Sequence, residues 1–90
     1  MVNILINRDG VIRYYNNNGE FHRLNGPCFI SNTTKQWCLN GEVHRIDGPA
    51  VIYFDTKDYC IPLAWWYHGV RIDCKSQEEF ERYIRLLIFK

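Results

Sequence analysis

Short runs of alternating apolar and polar residues cover most of the chain, and turn signals separate them. Residues 2–6 and 11–15 flank Asp9-Gly10, a pair that favours a tight hairpin turn because its central residues need positive φ. Asn40-Gly41 is a second strong hairpin signal, and His68-Gly69 marks the last hairpin. The pattern predicts an antiparallel meander of about nine short strands.

The period of the pattern changes after residue 75, where it predicts a C-terminal helix over residues 76–89. Ser76 stands at the cap position, and Glu79 follows three residues later, so each side chain can satisfy a free amide of the first turn. Apolar residues then recur at helical spacing along one stripe: Phe80, Tyr83, Ile84, Leu87 and Ile88.

Strands followed by one helix define a mainly β protein of the α+β class. Ninety residues suffice for one modest core, so we expect a single domain over residues 1–90, with the hairpins in residues 1–74. The predicted helix covers only about half of one face of so wide a sheet. The remaining apolar surface favours a homodimer or a small homo-oligomer.

An internal repeat organises the hairpins. Residues 19–28 recur as residues 41–50 at a constant offset of 22, with the shared sequence Gly-Glu-x-His-Arg-x-Asn/Asp-Gly-Pro. A third copy at residues 65–74 keeps the turn but lacks the Gly-Pro pair. The stretch before the third copy is six residues longer than the one before the second (17 against 11). A period of this size is typical of a repeat architecture.

The repeat resembles a known family. An aromatic residue, then Asn-Gly, then His-Arg-x-Asp-Gly-Pro-Ala, as in residues 37–50, is similar to the short MORN-like repeats of phages and large DNA viruses. The resemblance implies an array of β-hairpins and a phage or viral origin. These repeats share no catalytic residues, so the resemblance implies none in this chain.

Residues that recur at the same phase are expected to do a structural job once per repeat. We expect the histidines and the acidic or amide residues to bond turn amides. We expect each arginine to pack across the aromatic residue of its repeat, Tyr15 or Trp37. These structural repeat residues are His22, Arg23, His44, Arg45 and Asp47.

The four cysteines carry no Cys-x-x-Cys pair, so we interpret them as small, half-buried apolar residues of strands. A metal site built from Cys28, Cys38 and either His22 or His44 is the alternative. No nucleophile recurs beside the His/Asp pairs, and no phosphate-cradling glycine loop is present. We therefore predict a protein that is not an enzyme and has no metal or cofactor.

Charge and hydropathy narrow the choice of partner and compartment. Eleven basic and ten acidic residues give a net charge of +1, which counts against a protein that depends mainly on phosphate contacts. The sequence has neither an apolar run long enough to cross a membrane nor the features of a signal peptide. We predict a cytoplasmic protein, in the host cytoplasm if it is viral, with no membrane contact.

Residues that break the repeat are the candidates for function. The leading hypothesis is a protein–protein interaction module, a viral accessory protein that binds and inhibits a host factor or defence system. Neighbouring strand residues point to opposite faces, so only one of two adjacent tryptophans can pack under the helix. An apolar residue near the C-terminus falls on the charged face of the helix. The predicted partner-binding residues are Tyr59, Trp65, Trp66 and Phe89.

The alternative hypothesis is a protein that binds RNA, single-stranded DNA or nucleotides. Aromatic side chains on a sheet can stack on bases while arginines and lysines contact phosphates. The residues assigned to this role are Arg13, Tyr15, Arg23, Lys35, Lys57 and Arg71.

Overall fold

The computed structural model describes residues 3–6, 10–54 and 63–88. It confirms the mainly β class with one C-terminal helix. The elements are β1 (Asn3–Ile6), β2 (Ile12–Tyr15), β3 (Phe29–Ile30), β4 (Thr34–Gln36), β5 (Cys38–Leu39), β6 (Glu42–Val43), β7 (Val51–Tyr53), β8 (Leu63–Tyr67), β9 (Val70–Ile72) and α1 (Gln77–Ile88).

Seven strands form one antiparallel sheet in the order β1-β2-β3-β4-β7-β8-β9, and β5-β6 forms a separate hairpin. Strand order follows chain order except where this hairpin interrupts the path from β4 to β7. Trp37 stands between β4 and β5 and links the two sheets: its amide donates to the Ala50 carbonyl at 2.8 Å, and its carbonyl accepts from the His44 amide at 3.0 Å. In the first repeat the returning strand is shorter still, with a single bridge between Tyr15 and Phe21.

The register assigns side chains to the two faces of the sheet. Ile12, Ile30, Lys35, Ile52 and Leu63 lie opposite one another in successive strands and form one row. Side chains alternate along a strand, so the other odd-numbered residues of β8 point to the same face as this row. We call this face the helix side, because α1 packs on it over β8 and β9, and the opposite face the open side.

The largest apolar core lies between α1 and the last two strands. Trp65, Ile72, Phe80 and Ile84 are buried there, and Leu63, Tyr67 and Cys74 pack against them. The Trp65 indole donates its Nε1 hydrogen to Oε1 of Gln77 at 2.8 Å, which satisfies the polar atom inside the core.

The helix begins as the sequence predicts but buries less of its stripe than expected. The Glu79 amide donates to the Ser76 hydroxyl at 3.2 Å, and the Glu79 carboxylate accepts from the Lys75 amide at 3.0 Å. Phe80 and Ile84 are buried, whereas the rest of the stripe remains exposed. The core residues beneath the helix come from β8, β9 and Cys74, and they bury only Phe80 and Ile84 of the stripe.

Candidate functional site

The second and third hairpin turns are each hydrogen-bonded to a histidine of the preceding repeat. His22 Nδ1 accepts the backbone N–H of Asn40, and His44 Nδ1 accepts that of His68, both at 2.9 Å. Asn40 and His68 have φ of 48° and 47°, the left-handed conformation of the first position of a tight turn. In the third repeat Ile72 occupies the position of the histidine and packs in the core instead. The array therefore has no acceptor for a fourth turn at that position.

The surroundings of the second of these histidines, His44, lower its pKa. The ring of His44 stacks on that of His68, with centroids 4.0 Å apart, and Glu42 Oε1 lies 3.3 Å from His68 Nδ1. Burial lowers the pKa of His44, the neighbouring His68 lowers it further, and Glu42 partly opposes both effects. Because Nδ1 accepts a backbone hydrogen, the bond requires the neutral ring with its proton on Nε2.

A clamp around each arginine shapes the corner that follows the histidine. The Arg45 guanidinium lies 3.9 Å above the Trp37 ring, and its Nη1 donates to the Pro49 carbonyl at 3.1 Å. The guanidinium also lies against Gly48, where a Cβ atom would lie 2.7 Å from Cζ of the arginine. Asp47 accepts from Nε at 2.9 Å, and this hydrogen bond lowers the pKa of the Asp47 carboxyl.

The first repeat builds the same clamp without the carboxylate. Arg23 lies 4.0 Å above the Tyr14 ring and donates from Nη1 to the Pro27 carbonyl at 3.2 Å. A Cβ on Gly26 would lie 3.0 Å from its Cζ. Asn25 stands where the second repeat has Asp47, so the corner residue brings no negative charge to Arg23.

The expected contact between Arg23 and Tyr15 is therefore wrong. The first hairpin turn is one residue longer: the His22 amide bonds the Tyr14 carbonyl, eight residues back, whereas the matching bond in the second repeat spans seven. The extra residue shifts the arginine's aromatic partner by one position. Tyr15 instead stacks on Phe21, with ring centroids 5.1 Å apart.

The clamped corners leave two large apolar side chains in solvent, because the residue between the arginine and the Asn or Asp points outward. Leu24 is 73% exposed and Ile46 is 59% exposed. They recur at the same phase of the repeat, which is a signal that the sequence contains and that the sequence-based site assignment missed. Each side chain borders a surface depression.

The two depressions share a wall and together form what we call the corner groove. The first, of about 710 Å³, lies between the two corners and is lined by Arg23, Leu24, Asn25, Gly26, Trp37, Leu39, His44, Arg45, Ile46 and Asp47. The second, of about 550 Å³, lies between the second corner and the helix. It is lined by His44, Ile46, Asp47, Tyr67, His68, Glu81, Ile84, Arg85 and Ile88.

Of the four predicted partner-binding residues, the two that the structure describes, Trp65 and Trp66, do not line the corner groove. Trp65 is only 5% exposed and belongs to the core, so its assignment to a partner surface is wrong. Trp66 points to the open side and is half-buried, and its Nε1 is enclosed without a partner among the described atoms. Tyr59 and Phe89 lie outside the described residues.

The residues assigned to nucleic-acid binding are divided between the two faces. The register places Arg13, Tyr15 and Arg71 on the open side and Lys35 on the helix side. Arg23 is held in its clamp, and Lys57 lies outside the described residues. The structure therefore does not bring this set together into one surface.

Two of the four cysteines, Cys28 and Cys38, are disulfide-bonded and not the free apolar residues expected from the sequence. Cys28 and Cys38 form a disulfide with their Cα atoms 5.6 Å apart, so they are neither free thiols nor available to a metal with His22 or His44. Cys74 is free, and burial raises the pKa of its thiol. Within residues 3–6, 10–54 and 63–88, no three His, Cys, Asp or Glu side chains are grouped to hold a metal ion.

Comparison with known proteins adds no assignment. No protein-family model, curated protein or solved structure matches this chain. The part of the chain that the structure describes contains no helix long and apolar enough to cross a membrane.

Proposed function

We propose that this protein is an interaction module that binds a protein partner through the corner groove. The observation that carries the proposal is a line of exposed apolar side chains along it: Leu24 at 73%, Ile46 at 59% and Ile88 at 58%. Apolar side chains that line a concave surface and remain in solvent are typical of interaction sites.

The chemistry that the groove offers supports a partner held by apolar contact. The polar groups beneath it are already bonded inside the protein: His44 Nδ1 to a turn amide and the Arg45 guanidinium to Pro49 and Asp47. These bonds also fix the conformation of the corners before binding, so the protein loses less conformational entropy when a partner docks. The viral origin, the host target and a homodimer remain predictions within this proposal.

Capture of partners from a lysate of the native host, with quantitative mass spectrometry, tests the proposal. Ile46→Asp places a charge in the middle of the groove and should remove most of the partner signal, because a carboxylate there loses hydration without gaining a partner. Val70→Asp is the matched control, since Val70 is 61% exposed and does not line the groove.

Thermal melts must first show that both variants fold like the parent protein. Partners that the parent and Val70→Asp retain, and that Ile46→Asp loses, support the assignment. Equal capture by all three proteins would contradict it.

A further inference from the structure

The two ends of the corner groove each carry an arginine that is bonded to no carboxylate of the described residues. At the helix end, Arg85 is exposed and makes no ion pair or side-chain hydrogen bond with the residues that the structure describes. At the first corner, the Arg23 guanidinium donates to the Pro27 carbonyl and lies on Tyr14. Within residues 3–6, 10–54 and 63–88, neither guanidinium group is hydrogen-bonded to a carboxylate.

The two carboxylates that line the groove accept hydrogen bonds from groups other than Arg23 and Arg85. Asp47 pairs with Arg45 at 2.9 Å in the middle of the groove. Glu81 stands four residues before Arg85, an order that favours a helical ion pair, but its carboxylate accepts from the Gln77 amide at 2.8 Å. Gln77 also donates to the Ile46 carbonyl at 2.9 Å, so this amide ties the helix to the second corner.

The two repeats differ at the residue that decides this charge pattern. The second corner carries Asp47 beside its arginine, whereas the first carries Asn25. If both corners had the acidic residue, the first end of the groove would be neutral like its middle. The substitution leaves a groove with apolar walls, an Arg45–Asp47 ion pair in its middle and, at each end, a guanidinium group to which no described carboxylate is bonded. At the helix end Arg85 shares the wall with the Glu81 carboxylate, which is directed to Gln77.

We propose that the occupant of the corner groove is a peptide segment of a partner protein with an apolar middle and acidic residues on both sides. This inference rests on the proposed function and adds the chemistry of the partner. The apolar residues would contact Leu24, Ile46 and Ile88, and the flanking carboxylates would face Arg23 and Arg85. Complementary charges at the rim orient the segment and speed its association more than they add affinity.

The test uses two synthetic peptides with the same central run of leucine and alanine. One ends in glutamates on both sides, the other ends in lysines, and binding to the intact protein is followed by fluorescence anisotropy. The glutamate-ended peptide should bind more tightly. The difference should shrink as salt rises above about 0.15 M, where exposed charges are screened within about 8 Å.

Protein variants then assign the effect to the two arginines. Arg85→Glu and Asn25→Asp should each weaken the glutamate-ended peptide, by about three- to tenfold for the charge reversal and about twofold for the added carboxylate. Asn25→Asp is informative because it supplies Arg23 with the partner that Arg45 already has. Arg71→Glu, an exposed arginine on the open side, is the matched control and should change nothing.

Each other outcome overturns the proposal in a distinguishable way. Equal binding of both peptides, lost together with Ile46→Asp, would leave the groove as a docking site but refute the acidic partner. Binding of neither peptide would also refute this partner chemistry, while the lysate capture with Ile46→Asp would still decide the proposed function. A glutamate preference that Arg85→Glu and Asn25→Asp leave unchanged would place the charge recognition elsewhere.

Discussion

The Arg45 clamp gives a physical reason for the residue types at the recurring positions of the second corner. The aromatic ring and the glycine both lie against the guanidinium, the proline supplies a carbonyl acceptor, and Asp47 accepts from Nε. The position between Arg45 and Asp47 takes no part in the clamp, and its side chain, Ile46, points to solvent. The residues that recur most strictly therefore build the corner, and the variable residue faces the groove.

Replacing Gly48 by alanine tests the clamp. The added Cβ would lie 2.7 Å from Cζ of Arg45, so the guanidinium must shift from its position between its hydrogen-bond partners and the Trp37 ring. We expect Gly48→Ala to lower the free energy of unfolding by about 1–3 kcal/mol, measured by urea denaturation. In an Arg45→Ala background the same change should cost much less, because the clash is absent. Equal costs in the two backgrounds would contradict the clamp.

The histidine bond predicts a dependence of stability on pH. Folding lowers the pKa of His44, so the unfolded chain binds a proton near pH 6.5 that the folded chain resists. The stabilisation is complete above that pH and declines as the pH falls below it. Urea denaturation between pH 8 and pH 5 should show a smaller loss for His44→Gln than for the parent. Parallel pH profiles would show that His44 does not contribute.

Part of this residue-level arrangement could be predicted from the sequence. Phase recurrence indicated that the histidines bond turn amides, and the structure contains both bonds. It did not indicate that each bond crosses to the next repeat, because recurrence gives the phase of a residue and not its neighbour. The error at Tyr15 had a similar cause, since one extra turn residue changes a contact without changing the motif.

At the level of elements, backbone bonds between hairpins repeat along the array. The Gly41 amide donates to the Phe21 carbonyl, and the Gly69 amide donates to that of Val43, both at 2.9 Å. In the first hairpin, the amide at the matching turn position belongs to Asn18, and the Asn16 side chain accepts it at 2.9 Å. An Asx turn therefore takes the place of the histidine bond in this hairpin.

The disulfide joins the first corner to the second hairpin and should contribute measurable stability. Cross-linking residues this close in sequence restricts the unfolded chain and is worth about 2–4 kcal/mol. Cys28→Ala should therefore unfold at lower urea than the parent under non-reducing conditions. In excess dithiothreitol the two proteins should become similar, and mass spectrometry of a non-reduced digest should recover the linked peptides. Equal stability without reductant would contradict the bond.

Turn signals predicted the strands well, whereas the disulfide escaped the sequence analysis. Asn-Gly and His-Gly mark their turns because the backbone there needs positive φ, which is a local property. The pairing of Cys28 with Cys38 depends instead on the contact between two chain segments ten residues apart, where the Cys28 amide donates to the Gln36 carbonyl at 2.8 Å. The helix was predicted from its period, but the exposure of its last turns depends on the extent of the sheet beneath it.

At the level of the whole molecule, the protein is a thin layer with Cα extents of 42 × 35 × 17 Å. One sheet and one helix account for this thickness, and the corners and α1 stand on the same side of the sheet. The corner groove exists because the first corner, the second corner and α1 lie side by side. Leu24, Ile46 and Ile88 are distant in sequence, so their grouping could not be predicted before the fold was known.

The most direct test of the groove is to map where a ligand binds on the labelled protein. In ¹H–¹⁵N correlation spectra, the glutamate-ended peptide should shift amide signals in the two corners, around Leu24 and Ile46, and along the last turns of α1. The amides of Arg13 and Arg71, which represent the open side, should remain in place. Shifts concentrated on the open side, with the corners unchanged, would contradict the assignment of the corner groove as the binding surface.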